Sequence, residues 1–332
     1  MLVLFPVCLY LLACTEAPEA QAELVLGTVC TINLYEEGSP QVYGTLFSRL
    51  RAIETTMSVT MADTAVDRIN QNAGIQPVPV PPDLIEVLDQ AIRYAVLSEG
   101  AFDPTVGPLV QRWAIGSEHP RIPEPAEIEA TLSLINWQDL VIDHDAATVF
   151  LRRSGMALDL GAIAKGYAAD EMVKILQNAR IKRAIIDLGG NIFAYGAKQN
   201  GLPWRIGVQN PLDARGTYLG VLAVQHKSVV TSGVYERYAE INGKRYHHIL
   251  STQDGYPVYN GLLSVTIIAD HSIDADALST SVFALGYEKG RALVESLNPI
   301  EAIFVFEDKR IQCTSGALAW FTLSDSQFSL MP

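Results

Sequence analysis

Ala157-Leu-Asp-Leu-Gly-Ala-Ile-Ala-Lys-Gly-Tyr-Ala-Ala-Asp170 is the most informative stretch of this 332-residue chain. It reads as a short buried strand over 157–160, a turn at Gly161 and a helix over 162–177. A helix that starts straight after a turn presents free backbone N–H groups and the positive end of its dipole, and both attract anions. Lys165, in the first helical turn, adds a full positive charge. Asp159 is placed to bind a polar ligand or to orient Lys165. A plain structural turn, with the Asp capping a helix and the Lys solvated, uses the same residues equally well.

Outward from this segment, alternation predicts strands over 24–35, 140–142, 148–151, 184–186, 204–208, 218–225, 228–231, 237–241, 263–268, 302–306 and 311–314. Helical spacing predicts helices over 41–58 (Leu46, Leu50, Ile53 and Met57 on one face), 84–98, 126–134, 276–285 and 288–297. Residues 77–82 form a Pro/Val loop, and Pro120, Pro123 and Pro125 mark a surface insertion. Strands and helices mix without regular βα alternation, so the fold class is α+β, a mixed sheet with flanking helices. No repeat, low-complexity tract or clean linker interrupts residues 24–332, which are expected to form one folded domain.

Composition narrows the function. Hydrophobic residues make up 49% and charged residues 18%, enough apolar material to exclude disorder over most of the length. The net charge of −13 repels phosphate backbones, so nucleic acid is not an expected partner. No apolar run approaches the roughly 20 residues of a spanning helix. Residues 1–13 are apolar but short, as in a signal peptide, and Leu11-Leu12-Ala13-Cys14 resembles the bacterial lipobox. That reading makes Cys14 the lipidated first residue of the mature chain, residues 14–23 a tether, and the periplasmic face of the inner membrane the location. Cys30 and Cys313 fall in predicted strands. A disulfide between them is conceivable, but two buried free thiols fit better, and the cysteine spacing offers no zinc cluster.

A second chemical segment is Asp270-His-Ser-Ile-Asp-Ala-Asp-Ala-Leu-Ser-Thr280. Asp276 and Thr280 are four apart and share a helix face. A carboxylate and a hydroxyl are hard oxygen ligands suited to Mg²⁺. The competing reading is a helix capped by Asp274 or Asp276, with Thr280 bonding back to the i−4 carbonyl. Gly100-Ala-Phe-Asp-Pro-Thr-Val-Gly107 is a turn presenting Phe102 and Asp103 together, and residues 229–237 form a strand entering a polar turn. His247-His248 ends a strand and offers a general base near neutral pH. No G-x-S-x-G, Walker A or G-x-G-x-x-G motif is present.

Taken in order, these segments resemble the ApbE family of bacterial FAD:protein FMN transferases. The resemblance runs through Leu26-Gly-Thr-Val-Cys-Thr-Ile32, Met57-Ser-Val-Thr-Met-Ala-Asp63, Gly100-Ala-Phe-Asp103, Asp159-Leu-Gly-Ala-Ile-Ala-Lys-Gly166 and Asp187-Leu-Gly-Gly-Asn191. It continues through Thr231-Ser-Gly-Val-Tyr-Glu-Arg237, His247-His-Ile-Leu250 and Asp276-Ala-Leu-Ser-Thr280. The resemblance implies an α+β fold that binds FAD as substrate with Mg²⁺ at its pyrophosphate, transfers FMN to a Thr or Ser of a target protein, and releases AMP. It places the metal on the backbone oxygen of Ala162, the Asp276 carboxylate and the Thr280 hydroxyl. It places FAD against Leu26, Thr60, Ala101, Phe102, Asp103, Asp159, Lys165 and Leu250, with His248 as candidate base.

Three positions depart from the pattern. Thr60 stands where the family usually has Tyr, removing a stacking contact worth roughly 1 kcal/mol beyond burial. Members lacking that Tyr include enzymes that hydrolyse FAD to FMN and AMP, which keeps an FAD pyrophosphatase as an alternative. A non-catalytic flavin-binding lipoprotein is a third. Leu26 replaces a common Met, and Ser251-Thr252 replaces the usual Asp-Pro after His247-His-Ile-Leu250.

Overall fold

The structure, a computed structural model, describes residues 20–35 and 40–331. The predicted leader, Cys14 and most of the tether lie outside the described residues. The chain opens with strands β1 (Gln21–Val25) and β2 (Thr28–Leu34), then helices α1 (Pro40–Met57) and α2 (Ala65–Gln71). Strand β3 (Val78–Pro79), helices α3 (Pro82–Leu97), α4 (Gly107–Trp113) and α5 (Pro125–Leu132), and strands β4 (Leu140–Asp143) and β5 (Thr148–Leu151) follow. Helix α6 (Ala164–Asn178) leads into β6 (Ala184–Leu188), β7 (Asn191–Tyr195), β8 (Trp204–Gln209) and β9 (Tyr218–Val224). Next come β10 (Lys227–Gly233), β11 (Tyr238–Ile241), β12 (Lys244–His247) and β13 (Leu262–Ala269). Helices α7 (Ser272–Leu285) and α8 (Tyr287–Ser296) and strands β14 (Glu301–Phe306) and β15 (Arg310–Cys313) precede α9 (Ser315–Trp320), β16 (Phe321–Leu323) and β17 (Ser329–Leu330).

The central sheet has the order β1-β2-β6-β7-β10-β13-β14-β15-β17. Its pairings are antiparallel except β15 with β17. Antiparallel neighbours need no helical crossover, which is the physical basis of the irregular α+β order in the sequence.

The sheet is covered on both faces. In β13 and β14 successive side chains point to opposite layers, so Ile267 and Phe304 join the cluster under α1, α6 and α7. Ile268 and Ile303 instead join Trp204, Leu222 and Phe321 of a second, smaller sheet. That sheet has the order β16-β9-β8. All eight residues of β13 are buried, as a strand buried on both faces requires. A third apolar cluster, around Leu109, Trp113, Ile128 and Leu250, sits beside this stack. Trp113 Nε1 donates to Gly255 O at 2.8 Å and Thr252 Oγ1 to Gly100 O at 2.7 Å, tying the turn after His248 to the Gly100–Gly107 turn. The unusual Ser251-Thr252 pair is therefore used: Ser251 Oγ accepts from the backbone of Gln253 and Asp254, both at 3.2 Å.

Four local expectations need correction. Residues 24–35 form two strands, because Leu26 and Gly27 adopt φ of 57° and 66° and reverse the chain. Strand β1 also starts at Gln21, inside the stretch assigned to the tether, since Gln21 pairs with Ile32. Residues 157–160 form no strand; a single bridge joins Ala157 to Val106. Their backbone is satisfied elsewhere, with Leu158 N–H donating to Asn70 Oδ1 at 2.7 Å and Asp159 N–H to Pro104 O at 2.9 Å. Helix α7 begins four residues before Asp276, so Asp276 is not its cap.

Candidate functional site

Helices α6 and α7 are locked together by the segment that opened the sequence reading. A Cβ at Gly166 would lie 2.4 Å from Ser272 O and 2.6 Å from Ile273 Cα, so only glycine permits this approach. Four residues on, Asp170 accepts from the N–H groups of Ser272 (2.7 Å) and Ile273 (2.9 Å) and caps α7. The close contact lets Gly166 N–H donate to Asp276 Oδ2 at 2.9 Å. Gly166 lies in the first turn of α6, where N–H groups have no partner within the helix. Asp276 supplies the missing acceptor from another helix, and Ala162 lies two residues ahead of the start of α6.

Beside this junction lies a cavity of about 390 Å³. Ala162, Lys165, Asp276 and Thr280 line it, together with Asp159 and His248. An apolar wall is supplied by Phe102, Val106, Val110, Ile115 and Leu250, of which the last four belong to the third cluster. Phe102 is only 5% exposed, so its ring is held in place before any ligand arrives. The two-residue turn between β6 and β7, Gly189 and Gly190 at φ 67° and 96°, closes against Thr28. A Cβ at Gly189 would come within 2.3 Å of Thr28 Oγ1.

Polar groups around the cavity are oriented. Lys165 Nζ donates to Gly161 O at 2.9 Å and lies 3.7 Å from Asp276 Oδ1. Asp159 Oδ1 accepts from Gly161 N–H at 2.8 Å. Thr280 does not take the back-bonded form: Ser279 Oγ donates to Asp276 O at 2.9 Å, while Thr280 Oγ1 lies 3.2 Å from Ser232 Oγ. Among the described residues no three His, Cys, Asp or Glu side chains form a metal cluster. A cation here would rest on one carboxylate, one hydroxyl and one backbone carbonyl. That all-oxygen set fits a hard ion that keeps part of its water shell.

The family model described as the ApbE family matches residues 26–304. The chain belongs to the ApbE family. It is 37% identical to the FAD:protein FMN transferase of Treponema pallidum, covering 94% of this chain and 91% of the relative. It is 36% identical to one from Klebsiella pneumoniae, covering 93% and 95%. The ApbE protein of Thermotoga maritima superposes with a TM-score of 0.83 at 31% identity, over 91% of this chain and 98% of that one. The flavin transferase ApbE of Vibrio cholerae superposes with a TM-score of 0.82 at 28% identity, again over 91% and 98%. These matches bear out the α+β fold and the ApbE resemblance.

In this ApbE-family chain the two adjacent histidines have separate tasks. His247 is buried, its Nε2 donating to Val258 O at 2.8 Å, and serves the structure. His248 lines the cavity, with Nδ1 3.1 Å from Arg237 O. A carbonyl can only accept, so Nδ1 carries the proton and Nε2 keeps a free lone pair. Burial, with Arg237 nearby, pushes His248 down to about 4, and the ring is neutral at pH 7. Asp103 also lines the cavity, but both its oxygens are engaged. Oδ1 accepts from Thr105 N–H (2.8 Å) and Thr105 Oγ1 (2.6 Å), and Oδ2 accepts from Trp137 N–H (2.9 Å).

Three anticipated ligand contacts lie off the lining. Leu26 sits at the β1–β2 turn next to Gly27, Ala101 precedes Phe102, and Thr60 is exposed with its hydroxyl 3.1 Å from Ser58 Oγ. Sequence reasoning assigned no role to Thr28, Asn191, Arg215, Ser232, Glu236 or Arg237, which do line the cavity. Ser232, Glu236 and Arg237 lay in the polar turn already singled out. Arg215 sits on a loop with no motif. Both thiols are free as expected, but only Cys30, in β2, is buried; Cys313, in β15, is half-buried.

Proposed function

We propose that this protein is a Mg²⁺-dependent FAD:protein FMN transferase, attaching FMN by a phosphoester to a Thr or Ser of target proteins and releasing AMP. The observation that carries this reading is the hydrogen bond from Gly166 N–H to Asp276 Oδ2. It orients Asp276 in the cavity that Ala162 and Thr280 also line, an oxygen-donor set beside neutral His248 and an apolar wall. Curated relatives bearing the transferase name over more than nine-tenths of the chain support it.

Bound Mg²⁺, held by the Ala162 carbonyl, Asp276 and Thr280, would neutralise charge on the pyrophosphate. Lys165 adds a fixed positive charge there. The Phe102 and Leu250 wall accepts the flavin ring and keeps water from it. The target hydroxyl attacks the phosphorus on the FMN side and passes its proton to His248 Nε2. The bond from that phosphorus to the bridging oxygen breaks, and AMP leaves with that oxygen. The anionic pyrophosphate raises the proton affinity of His248 as it enters, bringing a base pushed down to about 4 closer to working pH.

FAD hydrolysis, with water replacing the hydroxyl, is favoured by one feature: Thr60 offers no ring to stack on the flavin. The test mixes the protein with FAD, Mg²⁺ and a Thr-containing target domain, with an EDTA control, and follows masses. A target gaining one FMN unit only with Mg²⁺ supports transfer. Free FMN plus AMP beside an unmodified target reassigns the site to hydrolysis, and intact FAD leaves only the flavin-binding reading.

The proposed location is the periplasmic face of the inner membrane, through lipid on Cys14. The basis is the Leu11-Leu12-Ala13-Cys14 motif; among the described residues no helix is long and apolar enough to cross a membrane. Cys14→Ser should move the protein from the membrane fraction to the soluble one, and unchanged partitioning would refute the anchor.

A further inference from the structure

Ser232, near the end of β10, is linked to two hydroxyls of α7. Its Oγ lies 2.8 Å from Ser279 Oγ and 3.2 Å from Thr280 Oγ1. Ser279 Oγ is 2.9 Å from the carbonyl oxygen of Asp276. Each hydroxyl has one proton to give, and that count fixes the direction of the chain. Ser279 must donate to the Asp276 carbonyl, which can only accept. Its oxygen then accepts from Ser232, whose proton is thereby used. Ser232 in turn accepts from Thr280. The Thr280 proton is drawn towards β10, away from any cation, and the Thr280 lone pairs are left for the cavity. The far end of the relay is the backbone carbonyl of Asp276, so the orientation of Thr280 is fixed against the helix turn that carries that carboxylate.

We propose that Ser232 is a positioning residue for a divalent cation, acting through Thr280 by setting which way that hydroxyl points. This rests on the metal reading of the Ala162, Asp276 and Thr280 cradle. Without Ser232, the Thr280 hydroxyl can rotate and turn its proton to the cation, which replaces an attraction with a repulsion. Ser232 lines the cavity, and its hydroxyl is engaged by Ser279 and Thr280.

The test measures Mn²⁺ binding to the full chain by electron paramagnetic resonance, with metal-free melting temperature recorded for every variant. Partners that orient metal ligands typically contribute roughly 10–100-fold in affinity. Ser232→Ala should therefore weaken Mn²⁺ binding about tenfold or more while the metal-free melting temperature stays close to wild type. Its activity should show a raised KM for Mg²⁺ with kcat recovered at saturating metal. Ser232→Thr, which keeps the hydroxyl, should restore affinity, and Ser279→Ala should weaken it in the same direction. Wild-type affinity in a folded Ser232→Ala variant overturns the relay while leaving the metal site standing. A wild-type chain that binds no Mn²⁺, or an Asp276→Ala variant that binds it normally, overturns the metal site itself and the relay with it.

Discussion

Asp276 does two things through two oxygens: Oδ2 holds the α6–α7 junction and Oδ1 faces Lys165. Metal and charge stabilisation of this kind is worth several kcal/mol in the transition state. Asp276→Ala should accordingly lower turnover at least about 100-fold; near-normal rates at saturating Mg²⁺ would remove the metal assignment. His248 makes a different prediction, read from pH. A general base contributes roughly 10²–10⁴-fold, and His248→Gln should lose that amount at pH 7. Because the free ring is pushed down to about 4, the kcat/KM profile of the wild type should hold from pH 7 to below 6. The kcat profile, which reports the FAD-bound state, should lose activity on its acid side starting at a higher pH than kcat/KM does. A kcat/KM limb at the ordinary 6.5 would contradict the burial of this ring. The stability sign follows: the folded pKa lies below the unfolded one, so the unfolded chain binds more protons in the window between them. Stability is then full above about 6.5 and declines towards 4. His248→Gln should flatten that decline in urea titrations.

Helix α6 is an element whose position is set by one missing side chain. Gly166→Ala would place a Cβ 2.7 Å from the Cβ of Asp276 as well as against the α7 backbone. Overpacking of this kind costs about 1–3 kcal/mol. It should also lift Gly166 N–H away from Asp276, so activity should fall further than the lost stability explains. A variant with wild-type urea midpoint and wild-type activity would show that α6 and α7 can separate without consequence. The sequence showed α6 clearly through its spacing, but the start of α7 was misplaced, because its cap, Asp170, comes from another helix. The strand expected over 157–160 failed for a related reason. Its apolar pattern is real, since Leu158 and Leu160 are buried. The partners of its backbone, however, are Asn70 and a loop.

At the level of the whole molecule, the cavity lies where the helix layer, the β6–β7 turn and the third apolar cluster meet. The thiols offer an independent check on this packing. Burial raises Cys30 and Cys313 to about 12 each, and both are free. A thiol reagent at pH 8 should leave them unmodified until the chain is denatured, and a reductant should leave the melting temperature unchanged. A reductant-dependent drop of several degrees would require a disulfide that the fold does not contain.

By itself the sequence determined the α+β class, most of the sheet and helix segments and the family, and it pointed to Asp159, Ala162, Lys165, His248, Asp276 and Thr280, which line one cavity. Period, turn chemistry and motif order are local properties, and each is written within a few residues. What only the tertiary structure decided is where backbone groups send their hydrogen bonds across long separations. Examples are the hydrogen bond from Gly166 N–H to a carboxylate 110 residues away and the meeting of Ser232 with Thr280. The engagement of both Asp103 oxygens by Thr105 and Trp137 is of the same kind. Such contacts leave no periodic trace, because they are set by how closely two packed elements can approach. At the α6–α7 junction that distance depends on the absence of a single Cβ.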